Sequence, residues 1–262
     1  MFAMMKQQRP RLQFDSRPAA IYAIGDVHGC LDQLLALEAM IVADAAEVAG
    51  EKWLITLGDY VDRGPQTAAV IAHVMDDAPA GFRRFALVGN HEQLLLDFLD
   101  NPPANLDWLE WGGLASAASY GLVDDGSGEW RRRPQDFAQR LAPLIPVEQL
   151  SWLRELPTCI AVPGLLFVHA GIRPGVPLSA QDDEDLIWIR APFLNGHLPQ
   201  GLTVVHGHTP VDAPEFMPGR IDIDTGCCFR GTLTALRILA DGRTKILQAH
   251  GAPSDYVPMN RR

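Results

Sequence analysis

Short apolar runs that end in glycine alternate along this chain with segments in which apolar residues recur every three or four positions. Ala20-Ile21-Tyr22-Ala23-Ile24 reads as a buried strand entering a loop at Gly25. Leu31, Leu34, Leu37, Ile41, Ala45 and Val48 then mark one face of a helix. The unit repeats. Trp53 to Leu57 predicts a second strand, Pro65 to Met75 a second helix with the proline in its first turn, Phe85 to Val88 a third strand, and Glu92 to Leu99 a third helix. Units of roughly thirty residues accommodate crossover connections, so the three strands are expected to run parallel and to gather their functional loops at their carboxyl ends.

From Asn101 to Pro134 the periodicity gives way to Pro, Gly and Trp, which predicts an excursion or cap over the site (101–134) without a core of its own. Val147 to Leu156 reads as a helix. Leu165 to Val168, Leu202 to Val205, Ile221 to Ile223, Thr232 to Leu239 and Lys245 to Ala249 read as strands of a second sheet, separated by Gly and Pro turns. The expected organisation is a single α/β domain over 20–250, with a polar leader at 1–19 and a tail at 251–262. A chain of 262 residues, 47% of them hydrophobic, can bury a core of that size.

Charge and composition narrow the partners. A formal net charge of -10 argues against a nucleic-acid binder, which presents a basic surface. No apolar stretch reaches the roughly 18 residues of a membrane helix, and the first 18 residues lack the apolar centre of a signal peptide. A cytoplasmic protein with no membrane partner is therefore expected. Cys30, Cys159, Cys227 and Cys228 show no CxxC spacing and are expected to be reduced, buried thiols.

The chemistry sits in the loops that follow the predicted strands: Gly25-Asp26-Val27-His28-Gly29, Gly58-Asp59-Tyr60-Val61-Asp62-Arg63-Gly64, Gly89-Asn90-His91-Glu92, His169-Ala170-Gly171 and His206-Gly207-His208. Asp26 and His28, two apart at an extended strand end, can grip one ion. Asp59 can bridge to a second, for which Asn90 offers an amide oxygen and His169 and His208 imidazole nitrogens. Mixed O and N ligands suit two divalent ions of the Mn, Fe or Zn type, and such a pair serves hydrolysis of a phosphate ester. His91 is placed as general acid, Asp62 as the carboxylate that fixes its tautomer, and Arg63 and Arg190 as clamps on phosphate oxygens. His208 is favoured over His206 as the ligand. Asp222 and Asp224, alternating with Ile221 and Ile223, read as the polar side of a half-exposed strand, and His73, His197 and His250 as incidental.

The strings Gly-Asp-x-His-Gly, Gly-Asp-x-Val-Asp-Arg-Gly and Gly-Asn-His-Glu, with the later His-Ala-Gly and Gly-His-Thr, resemble the signature of the phosphoprotein phosphatase family of calcineurin-like metallophosphoesterases. The resemblance runs from about Ile21 to Leu239. It implies a four-layer α-β-β-α sandwich, a dinuclear site and hydrolysis through a metal-bridging hydroxide. The metal ligands would fall on Asp26, His28, Asp59, Asn90, His169 and His208, the general acid on His91, and the phosphate arginines on Arg63 and Arg190. Trp111-Gly112-Gly113 and Ile187-Trp188-Ile189-Arg190 are similar to compact bacterial and phage serine/threonine phosphatases, which would make phosphorylated proteins the substrate and Mn the metal. Asp222 to Cys228 with Gly231-Thr232-Leu233-Thr234 is similar to symmetrical diadenosine tetraphosphate hydrolases. Those hydrolases typically lack the aspartate corresponding to Asp62, so the first branch is preferred. No dedicated regulatory subunit is implied.

Overall fold

The computed structural model describes residues 8–256, so the first seven residues of the leader and residues 257–262 of the tail lie outside the described residues. Two sheets carry the fold. The first has the order β11-β10-β2-β3-β4, and the second β1-β5-β6-β7-β9-β8. The strands of the first are β2 (Ala20–Ile24), β3 (Lys52–Thr56), β4 (Phe82–Ala86), β10 (Thr232–Leu239) and β11 (Thr244–His250). The second contains β1 (Arg11–Gln13), β5 (Cys159–Val162), β6 (Leu165–Val168), β7 (Thr203–His206), β8 (Glu215–Met217) and β9 (Arg220–Asp222).

As the apolar runs predict, β2, β3 and β4 are parallel. They are joined by α1 (Leu31–Asp44) and α2 (Thr67–Met75), and β4 leads into α3 (Asn90–Asp100). Alternation along these strands builds two cores. Ile21, Ala23, Trp53 and Ile55 meet Ile160, Phe167, Val205 and Ile221 of the other sheet in an apolar layer between the sheets. Ala20, Tyr22, Ile24 and Leu54 belong to the second cluster with Leu34, Leu37 and Ile41 of α1. This is the α-β-β-α sandwich.

Three features differ from the sequence reading, and one, the short helix that Leu186 to Trp188 complete, adds to it. Strands β10 and β11 join the first sheet: β10 lies antiparallel to β2, Ala235 opposite Ile24, so the chain returns to the sheet where it started. The leader supplies β1, parallel to β5, because Leu12 and Phe14 alternate with polar residues and Phe14 packs 4.6 Å from the Trp53 ring. The run Leu186 to Ile189 ends a short helix, α8 below, because the acidic residues Asp183, Glu184 and Asp185 favour its first turn. The 101–134 excursion is largely helical and contributes Trp108, Leu109, Ala117 and Trp130 to the core.

The remaining helices are α4 (Leu114–Ser119), α5 (Glu129–Arg132), α6 (Pro134–Leu141), α7 (Val147–Glu155), α8 (Asp183–Trp188), α9 (Ala191–Leu194) and α10 (Cys227–Arg230). All four cysteines are free and buried. Among the described residues no helix is long and apolar enough to cross a membrane.

Candidate metal centre

The loops after β2, β3, β4, β6 and β7 converge at one end of the sandwich, and there the backbone does something unusual. Among the described residues five non-glycine residues have positive φ: His28 (45°), Asp59 (51°), Asp62 (75°), Arg63 (67°) and His208 (67°). All five are site residues singled out from the sequence. Each such conformation costs about 1–3 kcal/mol and persists only where surrounding structure enforces it.

The enforcement is visible. The Glu92 carboxylate, fully buried at the start of α3, accepts the backbone N–H groups of Asp59 (2.9 Å), Tyr60 (2.7 Å), Val61 (3.1 Å) and Gly89 (2.8 Å). One side chain therefore ties the β3 loop to the β4 loop. Burial pushes its carboxyl up to about 8, while these donors favour the ionised form. Glycine is required where loops touch: a Cβ on Gly89 would collide with Asp59 Oδ1, and one on Gly207 with Asp26 Oδ1. Glu92 carries no role in the sequence reading, although its place three residues after Gly89 is the capping-box signal.

Candidate ligand atoms fall into two groups whose members lie within 4.8 Å of one another, His28/Asp59/His91 and Asp26/Asp59/His169. Asp59 belongs to both. Its Oδ2 is 3.3 Å from His28 Nε2, and its Oδ1 is 3.5 Å from His169 Nε2. Asn90 Oδ1 lies 2.9 Å from His169 Nε2 and 2.9 Å from His208 Nδ1. Asp26 groups with His169 rather than with its sequence neighbour His28, because His28 turns into the left-handed region instead of continuing an extended strand.

The protons reveal what these atoms can hold. His28 Nδ1 donates to the Val61 carbonyl (2.8 Å) and His169 Nδ1 to the Leu57 carbonyl (3.0 Å), which fixes the hydrogen on Nδ1 in both rings. Both Nε2 lone pairs then face Asp59, and His169 Nε2 also faces the Asn90 oxygen. Buried His208 Nε2 has no hydrogen-bond partner. His28 Nε2 already receives an Arg63 N–H, whereas His169 Nε2, the Asn90 oxygen and Asp59 converge with no proton between them, an arrangement a cation resolves; carbonyl-oriented imidazoles are the usual arrangement of metal-ligating histidine. The donor set fits two divalent ions.

Beside the ligand groups, His91 Nδ1 lies 2.6 Å from Asp62 Oδ2. Asp62 in turn accepts from Trp108 Nε1 (2.9 Å) and Ser116 Oγ (2.7 Å), both from the excursion. Burial pushes the Asp62 carboxyl up to about 7, against the pull of Ser116 and neighbouring cations. Burial, then the adjacent Arg63 charge, holds the His91 imidazole well below its ordinary value. Trp108 and Ser116 had no local sequence signal; they hold the Asp62 carboxylate from a distant segment, which only the fold reveals.

Arg63 turns both arms of its guanidinium inward, 2.5 Å from His28 Nε2 and 2.7 Å from His91 Nε2, while its plane lies 5.1 Å from the Phe229 ring. Arg190 is exposed at the rim, in a cleft of about 570 Å³ with Arg173, Asp185 and Trp188. Together with burial and His169, it holds the His208 imidazole well below its ordinary value. His206 lies off this cluster, packed against Phe193 with its Nδ1 3.6 Å from Asp222. Asp222 and Asp224 correct the sequence reading. They are 1% and 3% exposed, not half-exposed, because Asp222 packs beside buried His206 and Asp224 against Gly207.

Residues 19–252 match the family described as calcineurin-like phosphoesterase. The chain belongs to that family. A calcineurin-like phosphoesterase hydrolyses phosphoesters with the help of bound metal, and members typically bind two divalent ions. Among relatives, the asymmetrical bis(5'-nucleosyl)-tetraphosphatase PrpE of Bacillus velezensis is 25% identical over 233 residues, covering 82% of this chain and 87% of the relative. The serine/threonine-protein phosphatase 1 of Salmonella typhimurium is 27% identical over 225 residues, covering 83% and 91%. A crystal structure of a putative diadenosine tetraphosphatase superposes with a TM-score of 0.63 at 20% identity, covering 92% of this chain and 99% of that one, which establishes likeness of fold.

Proposed function

We propose that this calcineurin-like phosphoesterase removes phosphate from phosphoserine and phosphothreonine in proteins, using two manganese ions. The observation that carries the reading is the His91–Asp62 pair at 2.6 Å, set beside the two ligand groups that share Asp59. In this reading Asp26, His28, Asp59, Asn90, His169 and His208 hold the metal pair. Ions held there supply Lewis acidity toward the phosphoryl oxygens and lower the pKa of water.

The protein's own groups do the rest. Arg63, whose fork already points into the cluster, binds two phosphoryl oxygens when it swings off the imidazoles, and Arg190 approaches from the rim. Release of Arg63 frees His91 Nε2, which then carries the proton given to the leaving alkoxide. Asp62 keeps the ring oriented and stabilises its charged form. A serine alkoxide is a poor leaving group, so this acid matters most for alkyl phosphates.

A second reading, hydrolysis of dinucleoside tetraphosphates, is supported by relatives named for that activity. Turnover of a phosphoserine peptide and of diadenosine tetraphosphate at equal enzyme separates the two. Preference for the peptide, abolished in His91→Asn with metal retained, supports the first; cleavage of the dinucleotide alone replaces it with the second.

A further inference from the structure

Behind the ligand groups lies a carboxylate to which the proposed reaction gives no part. Asp224 is 3% exposed, in the segment that leaves β9. Gly207 touches both it and Asp26: a Cβ on that glycine would strike Asp26 Oδ1 and sit 3.6 Å from Asp224 Cβ. Asp224 also lies within electrostatic reach of His28, Arg63 and Asp59. Its position is built. Asp224 Oδ1 accepts the Gly226 N–H (2.9 Å), and its own N–H donates to Asp222 Oδ1 (3.0 Å).

Charge makes this placement costly. Asp26 accepts the His208 N–H (3.3 and 3.1 Å), and among the described residues neither Asp26 nor Asp224 is paired with a lysine or arginine. Like charges in a buried site repel strongly unless a cation compensates them. A carboxylate needed only to receive the Gly226 N–H could be replaced by a serine hydroxyl without this cost.

We infer that Asp224 is an outer carboxylate of the metal pair, a positioning residue whose negative charge behind Asp26 raises the affinity of the Asp26 side for a divalent cation. The inference rests on the dinuclear reading above. It predicts opposite effects in the presence and absence of metal, because the same charge that destabilises the metal-free site stabilises the loaded one.

The test is manganese binding to the full-length protein, measured by equilibrium dialysis with metal analysis and by electron paramagnetic resonance, beside melting curves with and without Mn. Asp224→Asn should bind its weaker Mn about 10–100-fold less tightly, the range for loss of an outer partner. At limiting metal the spin-coupled signal of a Mn pair should give way to that of isolated Mn. The metal-free variant should melt at or above the wild-type temperature, and the Mn-induced rise should shrink. Asp224→Ser, which retains an acceptor for Gly226, should repeat these results if Asn folds poorly, and Asp224→Glu should restore part of the affinity. Unchanged Mn affinity and signal in both Asn and Ser variants, or an equal drop in melting temperature with and without Mn, would overturn the inference. Wild-type protein binding fewer than two ions would instead remove the dinuclear reading on which it stands.

Discussion

The two ends of the sandwich meet the same backbone demand differently: among the described residues, glycine alone takes positive φ at one end, glycine together with functional side chains at the other. At the end away from the ligand groups, near the starts of β6 and β7, the turns at Gly164, Gly201, Gly219 and Gly242 all have positive φ. They surround a cleft of about 780 Å³ lined also by Arg17, His197 and Thr203. Glycine adopts that conformation without strain. At the other end His28, Asp59, Asp62, Arg63 and His208 adopt it with side chains that are strained by it. That open cleft therefore lies where the backbone is relaxed, and the candidate ligands where it is strained. Side chains that glycine could replace at lower conformational cost are there for what they hold.

That contrast can be broken from either end. The largest effect is expected from His91→Asn, which should lower kcat on a phosphoserine peptide by about 10²–10⁴-fold, the usual worth of a general acid. On an aryl phosphate with an acidic phenol the loss should be far smaller, since that leaving group departs without a proton; equal losses on both substrates would remove His91 from the acid role.

Glu92→Gln comes next. An amide nitrogen would face backbone N–H groups that now meet a carboxylate oxygen, and each orphaned buried N–H costs about 1–3 kcal/mol. Urea denaturation should show the loss directly, and a stability unchanged within error would mean that the loops are held in place otherwise.

Arg63 allows strain and chemistry to be separated. Arg63→Gly and Arg63→Ala should both lose turnover, yet the glycine variant should be the more stable by about 1 kcal/mol, because alanine keeps the left-handed strain. Thermal melts decide, and equal stability would deny that the backbone there is strained. The smallest effects belong to the far cleft. His197→Ala and Gln200→Ala, both exposed, should stay within about 0.5 kcal/mol of wild type with turnover within a factor of two; a larger loss of turnover would assign that cleft a part in the reaction.

Much of this was legible in the sequence because function and periodicity coincide. The strands β2, β3 and β4 announce themselves as apolar runs, and each is followed by its acidic or imidazole-bearing loop. What the sequence concealed depends on pairings between distant segments. The return of β10 to lie beside β2 is set by cross-strand contacts such as Ala235 with Ile24, which no local pattern encodes. Trp108 and Ser116 reach Asp62 from an excursion whose apolar spacing is too irregular to predict a helix. Asp222 and Asp224 alternate with isoleucine as an exposed strand would, and only the burial of both faces shows that the alternation separates two interiors rather than an interior from water. Glu92 was recognisable as a capping residue; that it caps a neighbouring loop as well was not.

In the dinuclear reading Asp59 stands between two cations. Anomalous scattering at the manganese edge, from crystals grown with Mn, tests it most directly. Two peaks about 3.5–4 Å apart are predicted, one beside His28 and the other beside His169 and Asn90, with an Asp59 oxygen touching each. A single peak, or two peaks that Asp59 does not join, would contradict the account.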